Sequence, residues 1–218
     1  ANKIATSNEH MLAAGKNGDQ FIFITDLHWP SNAKKSPSLI HGIFNSTPIN
    51  KLFMNGDYQN STSSKTNATK IIRNCIGAFD YCYALKYVNV GNHEYNDPSG
   101  LLSEQRLSID QIRAMILNQQ APYVTLASSN NVSFYIDNAL LERRYFVIGC
   151  NYGSNIHWSA NTWLANGLLA MPENYTAVII SHVATAVSNG IVTIANTFAD
   201  IAGIIDAYNS RGIYQYTE

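Results

Sequence analysis

Charge is the scarcest property of this sequence. Asp, Glu, Lys and Arg make up 13% of its 218 residues, and they sum to a formal −1. No basic cluster exceeds the pairs Lys34-Lys35 and Arg143-Arg144. Proteins that track a nucleic-acid backbone carry a basic stripe. A nucleic-acid polymer is therefore not an expected partner, although a nucleotide is still compatible. No apolar run approaches the roughly 18 residues of a membrane-crossing helix, so no membrane span is expected. Cysteine is also scarce, and Cys75, Cys82 and Cys150 all sit in apolar runs, as buried free thiols of a reducing compartment do. The start, Ala1-Asn2-Lys3-Ile4, has neither an initiator Met nor a signal-peptide core. That leads to the expectation of a processed or excised N-terminus on a cytoplasmic rather than secreted protein. No G-x-G-x-x-G follows the first apolar run and no G-x-S-x-G occurs. These two absences exclude the dinucleotide fingerprint and the serine-hydrolase elbow.

What is present is enough apolar content, 46%, to fill one core at this length. Residues 1–20 are polar and read as a linker or lead-in helix, ahead of a single domain over residues 21–218. Strands are expected at 21–25, 51–54, 87–90 and 176–180, the first and last fully buried. Residues 132–136 and 145–148 read as an antiparallel pair. A helix with Ala68, Ile71, Ile72, Cys75 and Phe79 on one face follows the second strand, and a helix opened by the capping box of Ser108 and Gln111 follows the third. Two more helices are expected at 159–171 and 191–208. Strand and helix alternate at steps of roughly 30 residues, which predicts βαβ units and an α/β fold with a largely parallel sheet.

The chemistry-bearing strings lie just past the apolar runs: Asp26-Leu27-His28, Gly56-Asp57, Gly91-Asn92-His93-Glu94 and Ser181-His182. Divalent cations take carboxylate oxygen, amide oxygen and imidazole nitrogen together. The ends of parallel strands are the usual place for a site in an α/β sheet. Read singly, Asp57 and Asn92 are turn residues and His182 a core histidine. The ordered set is what points to a metal.

In that order the strings resemble the D-x-H, G-D, G-N-H-E and later His of the calcineurin-like metallophosphoesterase superfamily, over residues 20 to about 210. The resemblance implies a four-layer α-β-β-α sandwich with mixed, largely parallel sheets. It implies a hydrolase that cleaves phosphomonoesters or phosphodiesters of small organic molecules through a hydroxide activated by two divalent metal ions. Asp26 and His28 would hold one ion, Asp57 would bridge both, and Asn92 and His182 would hold the second. His93 would be the general acid and Glu94 a brace behind the loop. Oxygen and nitrogen donors without thiolate admit Mn, Fe or Zn. Trp29, Tyr58, Tyr95, Tyr152 and His157 are candidates for lining the pocket of a small phosphate ester.

Two departures from the family pattern stand out. Many members carry an acid three residues after the G-D aspartate, where it orients the general-acid histidine. Here that residue is Asn60, expected to accept the imidazole N–H without bringing a charge. The closing G-H-x-H string of the family does not occur in these 218 residues. The expectation is therefore a chain truncated at its C-terminus, with one metal or none held and weak catalysis. A catalytically degenerate binding or structural module of a larger protein is the alternative.

Overall fold

The computed structural model describes residues 20–210, apart from 32, 63, 83, 97–102, 117–123, 127–131, 152–154, 157, 183–185, 189–190 and 194–195. In chain order the elements are β1 (Ile22–Ile24), α1 (Ser36–Ser46), β2 (Lys51–Asn55), α2 (Lys65–Gly77), β3 (Leu85–Asn89), α3 (Ile109–Arg113), β4 (Thr125–Leu126) and β5 (Phe134–Asn138). They continue with β6 (Arg143–Ile148), β7 (Cys150–Asn151), β8 (Asn155–Ile156), α4 (Trp158–Leu169), β9 (Thr176–Ser181), β10 (Ala186–Ser188), β11 (Ile191–Thr193) and α5 (Asn196–Asn209). Among the described residues, two sheets form the centre. One runs β1-β2-β3, all parallel; the other runs β4-β5-β6-β9, antiparallel until β6 and β9 pair in parallel.

The layering follows from strand alternation. Successive side chains of a strand face opposite sides. In β2, Leu52 and Met54 join Ile40, Phe44, Ile72 and Ile76 under α1 and α2, whereas Phe53 faces the other way. In β6, Phe146 and Ile148 meet Leu164 and Leu168 of α4 and Tyr208 of α5, whereas Tyr145 and Val147 face inward. The inward sets of both sheets share one cluster, with Phe53 stacked on Tyr87 at 5.1 Å between ring centres. Helix, sheet, sheet, helix is the order across the molecule.

The helix ends follow local rules. Ser64 caps α2 by accepting from the Asn67 amide, and Ser108 and Gln111 form the expected capping box of α3. Two expectations are corrected. The strand expected to be fully buried at 21–25 is β1, which pairs only with β2 among the described residues and leaves Phe23 44% exposed. Phe21 and Phe23 line a groove of about 350 Å³ with Val178, Ile179 and Ile180 of β9, where the edges of the two sheets run side by side. The long helix expected from residue 191 begins only at Asn196, because Ile191–Thr193 pairs antiparallel with Ala186–Ser188. Three consecutive β-branched side chains favour the strand there. The lead-in at residues 1–20 lies outside the described residues except for Gln20.

Candidate metal centre

The parallel pairing of β1 and β2 carries on into the loops that follow. Asp26 N–H donates to Gly56 O (3.2 Å), His28 N–H to Asp57 O (3.0 Å) and Trp29 N–H to Tyr58 O (2.8 Å). Holding the two loops together takes positive φ at Asp26 (55°), His28 (41°) and Asp57 (56°). Asp and His tolerate that region better than most non-glycine residues, yet it still costs of order 1–3 kcal/mol per residue. Gly56 sits at φ 89°, and a Cβ there would collide with the backbone nitrogen of Gly91. A Cβ on Gly91 would in turn strike Asp57 Oδ1 and lie 2.9 Å from His182 Cε1. The missing side chains are what let the loops after β2 and β3 close on the donors.

Glu94 ties these loops from below. It is fully buried and accepts from the amides of Asp57 (2.8 Å), Tyr58 (2.7 Å) and Gly91 (2.7 Å). Burial, and then the Asp57 charge, push its carboxyl up to about 7, while the three amide donors favour the ionised form.

Asp57 stands at the middle of the site. Its Oδ1 accepts the His93 amide at 3.0 Å and lies 3.4 Å from His182 Nε2, and its Oδ2 lies 3.8 Å from His93 Nε2. Burial alone would raise the Asp57 pKa, but the His182 contact, the His93 amide and the two ring charges outweigh it and hold it low. His182 reaches in from the end of β9. Its Nδ1 is 2.7 Å from Asn55 O and its Nε2 is 3.2 Å from Asn92 Oδ1. The carbonyl can only accept, so it fixes a proton on Nδ1 and turns Nε2 toward Asp57 and Asn92. Burial alone would lower the His182 pKa; the bond to Asp57 and its charge prevail and lift it to about 9. Thr25 Oγ1 donates to Asp26 Oδ2 at 2.8 Å and lies 3.1 Å from His182 Nδ1.

This donor set suits a divalent cation. Ligand atoms of Asp26, Asp57 and His182 all lie within 4.8 Å of one another. His28 stands beside them, its Nε2 3.9 Å from Asp26 Oδ1, and its Nδ1 is buried with no hydrogen-bond partner among the described residues. Two carboxylates, an oriented imidazole, an amide oxygen and the Nε2 of His28 are donors of hard to borderline ions. Burial and then the charges of Asp57, Glu94 and Asp26 push the thiol of nearby Cys150 far up.

Several sequence expectations need correction. Asn60 is exposed, and the hydroxyl facing His93 Nδ1, at 3.2 Å, belongs to Ser61. Tyr58 is 1% exposed, its hydroxyl bonded to Met54 O and Asn89 O, so it is core beneath the site rather than pocket lining. Tyr95 is likewise buried, its hydroxyl on Cys150 O at 2.9 Å. In both, the ring follows its apolar area and the hydroxyl finds a carbonyl. Trp29 packs half-buried against the helix-side core. Tyr152 and His157 lie outside the described residues. No motif marks Thr25, Asn55 or Ser61, since hydroxyls and amides are scattered throughout this sequence.

A family model described as calcineurin-like phosphoesterase matches residues 20–211. No curated protein matches the chain in sequence. Among solved structures, a dimetal phosphatase from Danio rerio is similar, with a TM-score of 0.62 and 13% identity, over 87% of this chain and 78% of that one. At that identity the likeness speaks for the fold.

Proposed function

Because this chain belongs to the calcineurin-like phosphoesterase family, we propose that it hydrolyses phosphomonoesters or phosphodiesters of small organic molecules at the cluster around Asp57. The observation that carries the reading is the convergence of Asp26, Asp57 and His182 within 4.8 Å, with Asn92 Oδ1 3.2 Å from His182 Nε2. Asp26 and His28 would hold one divalent ion, Asn92 and His182 a second, and Asp57, which stands beside Asp26 and His182, both. When bound, such ions supply Lewis-acid stabilisation of phosphoryl charge and a water deprotonated near neutral pH. Mn, Fe and Zn all suit the donors.

The chain's own residues supply the rest. His93, with its ring 33% exposed and Nε2 on the Asp57 side, is the proton donor to the departing oxygen. Glu94 fixes the amides that aim Asp57 and the 91–94 loop. The small net charge offers no steering for a polymeric anion, which favours a small ester.

The test is hydrolysis of p-nitrophenyl phosphate and bis-p-nitrophenyl phosphate with added Mn²⁺ or Zn²⁺, with and without chelator. Turnover should vanish with chelator and fall at least about 100-fold in Asp57→Asn. Activity indifferent to both would remove the metal mechanism. No turnover under any metal would leave the chain as a binding module on this fold.

A further inference from the structure

We infer that Ser61 is the positioning residue of His93, anchoring the ring through Nδ1 so that Nε2 faces the reacting centre. The catalytic half of this inference rests on the phosphoesterase reading; the anchoring half stands on geometry alone.

The loop after β2 is fastened to the loop after β3 on both sides of Ser61. On one side, the fully buried Gln59 donates its side-chain amide to His93 O. On the other, Asn96 accepts the Thr62 amide at 2.7 Å and donates back to Thr62 O at 3.0 Å. Asn96 is itself fully buried, at φ 53°. Between these clamps Ser61 takes φ 28°, a conformation unfavourable for a residue with a Cβ, and its hydroxyl comes 3.2 Å from His93 Nδ1. Asn60, one residue earlier, is turned out to solvent. The His93 ring also meets the edge of His28, 5.2 Å away at 88°, and its backbone amide is held by Asp57 Oδ1. Those two contacts limit where the ring sits but not which nitrogen faces inward. The Ser61 hydroxyl on Nδ1 fixes that, with Asp57 Oδ2 3.8 Å from Nε2 on the other side.

The hydroxyl oxygen accepts from Nδ1–H, and that bond is unchanged when Nε2 gives up its proton. During hydrolysis the Nε2 proton passes to the departing oxygen as its bond to phosphorus breaks. The ring is left neutral with Nδ1–H still on Ser61, so it does not turn over before Nε2 regains a proton from water.

The test compares Ser61→Ala, Ser61→Thr and Asn60→Ala. In metal-free protein labelled with ¹⁵N-histidine, the His93 Nδ1 resonance should move in Ser61→Ala and return in Ser61→Thr. It should stay in place in Asn60→Ala. In turnover with added metal, Ser61→Ala should lower kcat about tenfold on phenyl phosphate, whose leaving oxygen needs a proton. It should change p-nitrophenyl phosphate little, with KM unaltered for both, and Ser61→Thr should recover the loss. An Nδ1 resonance unmoved in Ser61→Ala, or moved as much by Asn60→Ala, overturns the anchoring. Equal losses on both esters overturn the catalytic half. If wild type lacks phosphoesterase activity altogether, it is the functional reading that fails, and the nitrogen resonance still decides the role of Ser61.

Discussion

Glu94 shows how much a single buried carboxylate can organise. Three backbone amides from two loops converge on it. An amide left buried without an acceptor costs about 1–3 kcal/mol. Glu94→Ala should therefore destabilise the fold by at least about 3 kcal/mol, read as a lower urea midpoint at unchanged slope. Glu94→Gln keeps one acceptor oxygen but sets an NH₂ against an amide donor, and should lose less. The sequence made Glu94 legible as a brace, because the G-N-H-E string is intact. Its partners were not legible, since Asp57 and Tyr58 lie 37 and 36 residues away. Ser61 shows the converse. Counting three residues past Asp57 pointed to Asn60, and only the clamped backbone around Ser61 reveals which side chain meets His93.

At the scale of the element, β6 carries a polar residue where its pattern faces α4. Arg144 is 4% exposed and forms a two-pronged pair with Asp137 on β5, both bonds 2.7 Å. It also donates to Gly167 O on α4 at 2.7 Å and lies 4.1 Å over the Tyr135 ring. One guanidinium thus joins two strands and a helix. Asp137 has 38% of its side chain exposed and can rehydrate, so the loss in Arg144→Ala should be about 2–3 kcal/mol, below that of a fully buried pair. Arg144→Lys loses the planar fork and should recover only part of it in the same thermal or urea measurement. The apolar runs of β1, β2, β3, β5, β6 and β9 were readable, because runs such as Thr176–Ser181 leave little choice, whereas the short strands β4, β7, β8, β10 and β11 were not. The start of α5 was not, because helical spacing of Ile194, Phe198, Ile201 and Ile205 masked the strand preference of Ile191–Thr193.

For the whole molecule, the site was legible because its strings fall at the ends of strands that share one direction. The pairing of β6 with β9, which brings His182 over to Asp57, spans too long a separation for periodicity to reveal. Cation binding should stabilise the whole fold by about 2.7 kcal/mol at a hundredfold excess over Kd, visible as a higher unfolding midpoint that chelator reverses. Affinity should also depend on pH in a defined direction. A cation held by His182 would take its Nε2 lone pair, and with the pKa lifted to about 9 it would have to expel a proton. Binding should therefore weaken as pH falls below 9, toward roughly tenfold per unit, when titrated by calorimetry at pH 6.5 and 8.5. His182→Gln should flatten that slope.

The shared direction of β6 and β9 has a practical side. The turn before Arg143, where Leu140 is 91% exposed, sits at the far rim, the length of a six-residue strand or about 20 Å from His182. A fluorophore, an affinity handle or new chain termini placed there would leave the donor cluster as it is.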